Sequence, residues 1–177
     1  MNDELELRIL DVDVEKITKK LESMGATKVG DWNYTRYVYD TKPVDENKWI
    51  RLRTDGNKTE LTYKCFTDDS IDGVKELEIQ VSDFEKTKEF MEILGYSYRS
   101  VQQNKRTRYM YNDVEIDIDT WPHLNTYVEV EGPTSEKVNE VVELLKEFGS
   151  EVTGKNVQTI YEDNGFTLED LNNLFFE

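Results

Sequence analysis

Acidic and basic residues recur in this sequence two positions apart. The opening segment alternates Glu4, Glu6 and Arg8 with Leu5 and Leu7. Such alternation predicts β-strands that have one charged face and one apolar face. Carboxylates are the ligands that hard divalent cations prefer, and guanidinium or ammonium groups bind oxyanions. Further charged pairs with this spacing are Arg51 and Arg53, Glu76 and Glu78, Arg106 and Arg108, Asp117 and Asp119, and Glu129 and Glu131.

These charged faces have two interpretations. In the first, one face of each strand lies in water, as is usual for alternating strands. In the second, helices pack on the apolar side and the charged face turns inward, making a tunnel that holds a metal and an anion together. The acids concentrate on some strands and the arginines and lysines on others, which a solvated face does not require. We therefore favour the tunnel.

Composition narrows the classes of function. The 177 residues carry a formal net charge of -16, which disfavours a nucleic-acid duplex as partner. Cys65 is the only cysteine and His123 the only histidine, so an intrachain disulfide is excluded and a His-rich zinc site is disfavoured. No apolar N-terminal stretch predicts a signal peptide or a membrane span, and we expect a cytoplasmic protein without a membrane partner.

The order of predicted elements repeats along the chain. A strand, an amphipathic helix and returning strands begin at Glu4 and again at Glu76, and a third copy begins at Glu129. Ser82 with Glu85 three residues later predicts a capping box at the start of the second helix. The apolar helix faces are Val14, Ile17, Leu21 and Met24; Phe90, Met91 and Leu94; and Val138, Val141, Leu145 and Phe148.

About eight strands are predicted, which is enough for a closed barrel of small bore. We therefore expect an α+β fold over one domain, residues 1–177: a closed eight-stranded antiparallel β-barrel with helices packed outside, built from the strand-helix-strands repeat. A further amphipathic helix packed on this body is predicted from Tyr161 and the C-terminal residues Phe166, Leu168, Leu171, Leu174 and Phe175.

The opening Glu4-x-Glu6-x-Arg8 resembles the ExExK signature of the CYTH superfamily, with arginine where that family usually has lysine. The later pairs, with Lys64 and Lys155, resemble the family's tunnel residues in chain order. The superfamily includes class IV adenylyl cyclases, thiamine triphosphatases, inorganic triphosphatases and RNA triphosphatases. The resemblance implies an eight-stranded triphosphate tunnel with divalent cations on its carboxylates and a triphosphate held by its arginines and lysines.

The resemblance also implies a role for each tunnel residue. Mg²⁺ or Mn²⁺ is expected on Glu4, Glu6, Asp117, Asp119, Glu129 and Glu131, although ion pairs within the tunnel are an equal alternative for the two aspartates. Substrate is expected on Arg8, Arg51, Arg53, Lys64, Arg106, Arg108 and Lys155. Catalytic roles are expected for Arg8, Lys64 and Glu129. Glu76 and Glu78 are expected to orient basic residues or to form a second metal site, and Arg36 is a further candidate for the inner face.

Three functions fit this residue set. The first is a triphosphatase that hydrolyses the terminal phosphate of tripolyphosphate, thiamine triphosphate or ATP. The second is a class IV adenylyl cyclase that converts ATP to cyclic AMP and pyrophosphate. The third is a non-catalytic module that binds a triphosphate or nucleotide. We favour the hydrolase, and the sequence leaves a homodimer open.

Overall fold

Ten antiparallel strands form one curled sheet in the computed structural model, which describes residues 1–177, and an eleventh strand joins in parallel. The strands are β1 (Asn2–Glu4), β2 (Glu6–Ile9), β3 (Thr27–Asp40), β4 (Lys48–Thr54), β5 (Thr59–Phe66), β6 (Val74–Val81), β7 (Tyr98–Tyr111), β8 (Val114–Thr120), β9 (Tyr127–Glu131), β10 (Val152–Thr153) and β11 (Asn173–Leu174). The helices are α1 (Val14–Ser23), α2 (Phe84–Ile93), α3 (Ser135–Leu145) and α4 (Val157–Asp163), with 3-10 turns at Lys146–Phe148 and Asp170–Asn172.

The predicted repeat is present: α1 follows β2, α2 follows β6 and α3 follows β9. Each helix begins after a residue whose side chain accepts a hydrogen bond from a backbone N–H in the first turn, as N-caps do. These caps are Asp13, Asp83 and Thr134. The predicted capping box of Ser82 and Glu85 is therefore wrong by one residue, because the Asp83 carboxylate takes the N–H of Lys86.

The sheet curls strongly without closing into the expected eight-stranded barrel. Its strands lie in the order β1-β6-β5-β4-β3-β7-β8-β9-β2-β10, and no ladder joins the two ends of this path. The opening strand is split at Leu5, so that β1 pairs with β6 while β2 pairs with β9. At the split, Leu5 O accepts from Gly132 N (3.1 Å) and Glu6 N donates to Ile71 O (3.0 Å). The expected closed barrel is thus corrected to a curled half-barrel of ten strands.

The apolar face of this sheet lies under the helices, as expected. A cluster of 14 buried residues joins α1 and α3 to β2, β8 and β9, with Ile17, Leu21 and Leu145 fully buried. A smaller cluster of Tyr39, Leu52 and Met91 joins α2 to β3 and β4. Successive side chains of a strand point to opposite faces of the sheet. Because the apolar side chains face the helices, the charged side chains lie on the inner face.

The C-terminal residues differ from the prediction. Helix α4 ends at Asp163, and a 3-10 turn followed by β11 replaces the expected amphipathic helix. Leu171 and Leu174 are nevertheless buried, packed with Trp121, Tyr127 and Tyr161. Leu168 and Phe175, by contrast, are exposed, so only part of the predicted apolar set packs on the body. Strand pairing of β11 with β7 competes with helix formation. None of the helices has the length and apolar character needed to cross a bilayer.

We predict that replacing Leu21 by alanine lowers the free energy of unfolding by about 2–5 kcal/mol, because it leaves a cavity in the largest core cluster. The control is Val14→Ala on the same helix, where the side chain is 46% exposed. That change is expected to stay within about 0.5 kcal/mol. Urea unfolding followed by circular dichroism measures both, and equal losses would contradict this assignment of the core face.

Candidate active site

The charged inner face of the sheet surrounds a cavity of about 950 Å³. Most residues predicted from the sequence line it, drawn from six different strands. They are Glu4, Glu6, Arg8, Arg51, Arg53, Lys64, Arg106, Arg108, Glu129 and Glu131. Asp117, Asp119 and Lys155 do not line it. The roles predicted for all of these residues remain predictions, but most of the set meets at one place.

Three carboxylates converge at one side of the cavity. Glu6 lies opposite Glu131 in the β2–β9 register, and Glu4 is the last residue of β1, just before the split in the opening strand. One oxygen from each of the three lies within 4.8 Å of the others. Burial raises the pKa of Glu131 to about 8, and the nearby carboxylates of Glu6, Glu129 and Glu4 add to the shift. Burial also raises the pKa of Glu4 and of Glu6, although Lys64 and Arg8 oppose it.

This carboxylate group suits a hard divalent cation. Glu4 and Glu6 each contact one basic side chain, but Glu131 has no ion-pair partner. A partly buried acid whose pKa is raised by desolvation and by acidic neighbours is stabilised in its charged form by a cation. Carboxylate oxygens are also the ligands that Mg²⁺ and Mn²⁺ favour. The donor set therefore fits the expected metals.

Glu129 lies in a different environment from the other glutamates. Its two carboxylate oxygens accept from Arg8 Nη2 (2.6 Å) and Arg106 Nη2 (2.9 Å). Burial alone would favour the neutral acid, but Arg8, Arg106 and Lys64 outweigh it and hold the pKa of Glu129 well below its usual range. The Glu129 carboxylate therefore fixes two guanidinium groups in the cavity wall.

Asp117 and Asp119 lie behind the arginines rather than beside the carboxylate group. Asp117 accepts from Arg108 Nε (2.8 Å) and Nη2 (2.7 Å) and pairs with Arg106 Nη1 (2.6 Å). Asp119 accepts from Arg106 Nε (2.9 Å) and from Arg106 Nη2. The ion-pair alternative thus describes their contacts, and neither belongs to the convergent group of Glu4, Glu6 and Glu131.

The remaining basic residues are held by neighbouring acids. Lys64 Nζ contacts Glu4 Oε2 (2.7 Å) and Glu76 Oε2 (3.3 Å). Arg51 Nη2 donates to Glu78 Oε2 (3.2 Å). These contacts place Glu76 and Glu78 beside basic residues that they can orient, which agrees with the first of their two expected roles.

The Lys155 side chain, predicted to bind substrate, points away from the cavity. Its ammonium pairs with Asp163 (2.9 Å) and Glu151 (3.5 Å), away from the cavity. Its backbone carbonyl instead accepts from Arg8 Nη1 (3.0 Å). Lys155 therefore supports Arg8 through its main chain in this structure.

Sequence reasoning did not select Asn104, which connects two parts of the wall. Its side-chain oxygen accepts from Arg36, and its amide nitrogen donates to Asp119 Oδ1 (3.3 Å). The available signal was parity, because Asn104 shares its strand face with Arg106 and Arg108. A neutral residue at such a position carries no charge pattern and is easily missed.

The ion pairs of Glu60 in the cavity wall should make the stability of the fold depend on pH. Its carboxylate accepts from Arg53 Nε (3.1 Å) and Nη2 (2.5 Å) and pairs with Lys58 (2.6 Å). Burial disfavours its ionisation, but Arg53 and Lys58 outweigh burial and lower the pKa of Glu60 to about 2. A carboxylate with a lowered pKa in the folded state stabilises the fold above its unfolded pKa, and that contribution is lost as pH falls through the folded value.

We therefore predict that Glu60→Gln lowers the free energy of unfolding at pH 7, and that the difference from wild type shrinks as the pH falls from about 4.5 toward 2. Chemical denaturation at several pH values measures this difference. A gap that stays constant across that range would show that the charge of Glu60 is not what stabilises the hairpin of β4 and β5.

Comparisons with known proteins agree with this arrangement. The protein MJ0240 of Methanocaldococcus jannaschii, named a putative adenylate cyclase, is 25% identical over 150 residues, which cover 81% of this chain and 84% of that protein. The PH1012 protein of Pyrococcus horikoshii has a similar fold, with a TM-score of 0.73 and 23% identity over 86% of this chain and 96% of its own.

A third similar structure is HpAC1 from Hippeastrum, for which a dominant triphosphatase activity is described. It aligns with a TM-score of 0.63 and 17% identity, over 96% of this chain and 99% of its own. A model of the CYTH domain matches residues 2–161. With that match spanning nearly all of the residues that build the curled sheet and its charged cavity, this chain belongs to the CYTH domain family.

Proposed function

We propose that this chain is a metal-dependent triphosphatase that hydrolyses the terminal phosphate of an inorganic or organic triphosphate. One observation supports the proposal most directly: a group of three carboxylates and a set of arginines and lysines line the same cavity. A polyphosphate with its divalent cation is a ligand that needs both. Small triphosphates such as tripolyphosphate, thiamine triphosphate and ATP are the substrates to be tested.

The basic residues are proposed to hold and orient the phosphate chain. Phosphoryl transfer depends mainly on positioning and on neutralising the charge of the phosphate oxygens. Arg51, Arg53, Arg106 and Arg108 present planar guanidinium groups that can bind two oxygens at once. Each is already fixed by an acidic partner, so little side-chain entropy is lost when the substrate binds.

Glu4, Glu6 and Glu131 are the residues proposed to hold Mg²⁺ or Mn²⁺. When bound, such a cation supplies charge neutralisation for phosphate oxygens and a lowered pKa for coordinated water. In the proposed reaction, a water oxygen bonds to the terminal phosphorus and the phosphoanhydride bond to the leaving diphosphate breaks. Orthophosphate and the corresponding diphosphate are the products.

The proposed catalytic residues lie between the carboxylate group and the basic residues of the cavity wall. They are Arg8, Lys64 and Glu129. Lys64 contacts Glu4, and Arg8 bridges Glu6 and Glu129. Glu129 in turn fixes Arg106. This chain of contacts connects the carboxylate group to the basic wall, so the positions of cation and phosphate are set together.

Adenylyl cyclase activity is the second candidate, and the resemblance to a protein named a putative adenylate cyclase favours it. Trp32, Tyr34 and Trp49 also line the cavity and offer aromatic faces on which a base can stack.

The assay that distinguishes these functions incubates the protein with Mg²⁺ or Mn²⁺ and separate samples of tripolyphosphate, thiamine triphosphate and ATP. Orthophosphate with a diphosphate supports the hydrolase, cyclic AMP with pyrophosphate supports the cyclase, and binding without products supports a binding module.

We predict that Glu131→Gln lowers kcat/KM for the preferred triphosphate by at least about 100-fold, because it removes one proposed metal ligand. Glu131 has no ion-pair partner, so this change breaks no salt bridge and should leave the metal-free protein folded. It should also reduce the rise in Tm that Mn²⁺ produces in the wild type.

The matched control is Glu89→Gln, which removes the same charge from an exposed position on α2. Its kinetics and its Mn²⁺-dependent Tm should equal those of the wild type. Full activity and full stabilisation by Mn²⁺ in Glu131→Gln would rule out Glu131 as a ligand.

A further inference from the structure

Arg36 occupies an unusual position in the cavity wall. It lies in the inward-facing row of β3, lines the cavity and is only 8% exposed. Its guanidinium stacks on the ring of Trp121, with the central carbon 4.4 Å from the ring centroid. Trp121 is itself buried and packs edge-on against Tyr161 of α4. The aromatic residues thus fix one face of the guanidinium.

Arg36 is the one arginine of the cavity that has no carboxylate within ion-pair distance. Arg8, Arg51, Arg53, Arg99, Arg106 and Arg108 each have at least one acidic partner. Arg36 donates instead to the neutral Asn104 side chain, and its Nε has no hydrogen-bond partner. A buried charge without a counter-charge is costly, so an unpaired arginine at this position needs another explanation.

The charges nearest to Arg36 increase this cost. Burial lowers the pKa of Arg36 well below its usual range, and the positive charges of Arg51 and Arg53 lower it further and outweigh the opposing charge of Asp119. Arg36 also lies directly opposite Arg53 in the β3–β4 register. Arg51 and Arg53 each have an acidic partner, so the charge of Arg36 is the one in this part of the wall that an oxyanion would neutralise.

The sheet order places Arg36 on the wall across from the carboxylate group. Strands β6, β5 and β4 separate β3 from β1 on one side, and β7, β8 and β9 separate it from β2 on the other. In a curled sheet, β3 is thus the strand opposite Glu4 and Glu6. A polyphosphate that contacts a cation at those carboxylates reaches the opposite wall with its other phosphoryl oxygens.

We propose that Arg36 is a substrate-binding residue: it receives phosphoryl oxygens of a polyphosphate at the wall opposite the carboxylate group, and Trp121 and Asn104 hold its guanidinium ready for that contact. The choice of a polyphosphate rests on the proposed function, but the binding role does not depend on hydrolysis. A purely structural role, in which Arg36 only covers Trp121, predicts no effect on ligand affinity.

The test is isothermal titration calorimetry of tripolyphosphate into metal-free protein in the presence of EDTA, which reports binding to the basic wall without turnover. Arg36→Gln should raise the Kd by about tenfold or more, as expected for a lost charge-assisted hydrogen bond to an anion. Lys137→Gln is the control, because it removes the same charge from an exposed residue outside the cavity, and its Kd should stay within about twofold of wild type.

Arg36→Met provides a second variant, since its unbranched side chain can still lie on Trp121. It should show the same loss of affinity as Arg36→Gln, and it decides the question alone if the glutamine variant does not fold. A wild-type Kd in either folded variant overturns the proposal, and so does a wild-type protein that binds no tripolyphosphate either in EDTA or with Mn²⁺ present.

These outcomes separate the two proposals. If the protein releases no phosphate but Arg36→Gln weakens tripolyphosphate binding, Arg36 is a binding residue and the hydrolase assignment is wrong. If the protein is an active triphosphatase and its Arg36→Gln variant binds tripolyphosphate with the wild-type Kd, the hydrolase assignment is correct and the binding role of Arg36 is wrong.

Discussion

Compensation of buried charge is the constraint on which this site depends. A charged side chain can be withdrawn from water only if opposite charges or hydrogen bonds replace its hydration. The curled sheet meets this condition by placing acids and bases on neighbouring strands, so that Arg106, for example, contacts Asp117, Asp119 and Glu129 at once. Helices on the apolar face then hold the curl in place. The shape of the cavity and the positions of its charges are therefore determined together.

Two residues depart from this balance, and they do so with opposite sign. Glu131 is a partly buried acid whose charged neighbours are mostly acidic, and Arg36 is a buried base whose charged neighbours are mostly basic. They lie on β9 and β3, which β7 and β8 separate in the sheet. A ligand that is cationic at one end and anionic at the other would neutralise both. A divalent cation bound to a polyphosphate has that distribution of charge.

The parts of this structure that could be predicted are those that depend on period. Alternation at two residues identified which face of each strand is charged, and apolar spacing near 3.6 residues identified the three repeat helices. The register between paired strands is not encoded in either period. The β7–β8 register places Asp117 and Asp119 opposite Arg108 and Arg106, so the carboxylates that converge are those of Glu4, Glu6 and Glu131. The split at Leu5 depends on backbone hydrogen bonds to Gly132 and Ile71, which are distant in sequence, so a closed barrel was expected where the sheet remains open.

The charge of the whole chain bears on how the proposed substrate enters. A formal net charge of -16 gives a long-range field that repels a free polyphosphate. The basic residues of the cavity do little to reverse this field, because nearly all of them are already paired with acids. A polyphosphate that arrives with its divalent cation carries less negative charge and meets less repulsion. The same acidic surroundings that disfavour the bare anion attract the cation, so the field of the protein and the carboxylate group inside it favour the metal complex over either component alone.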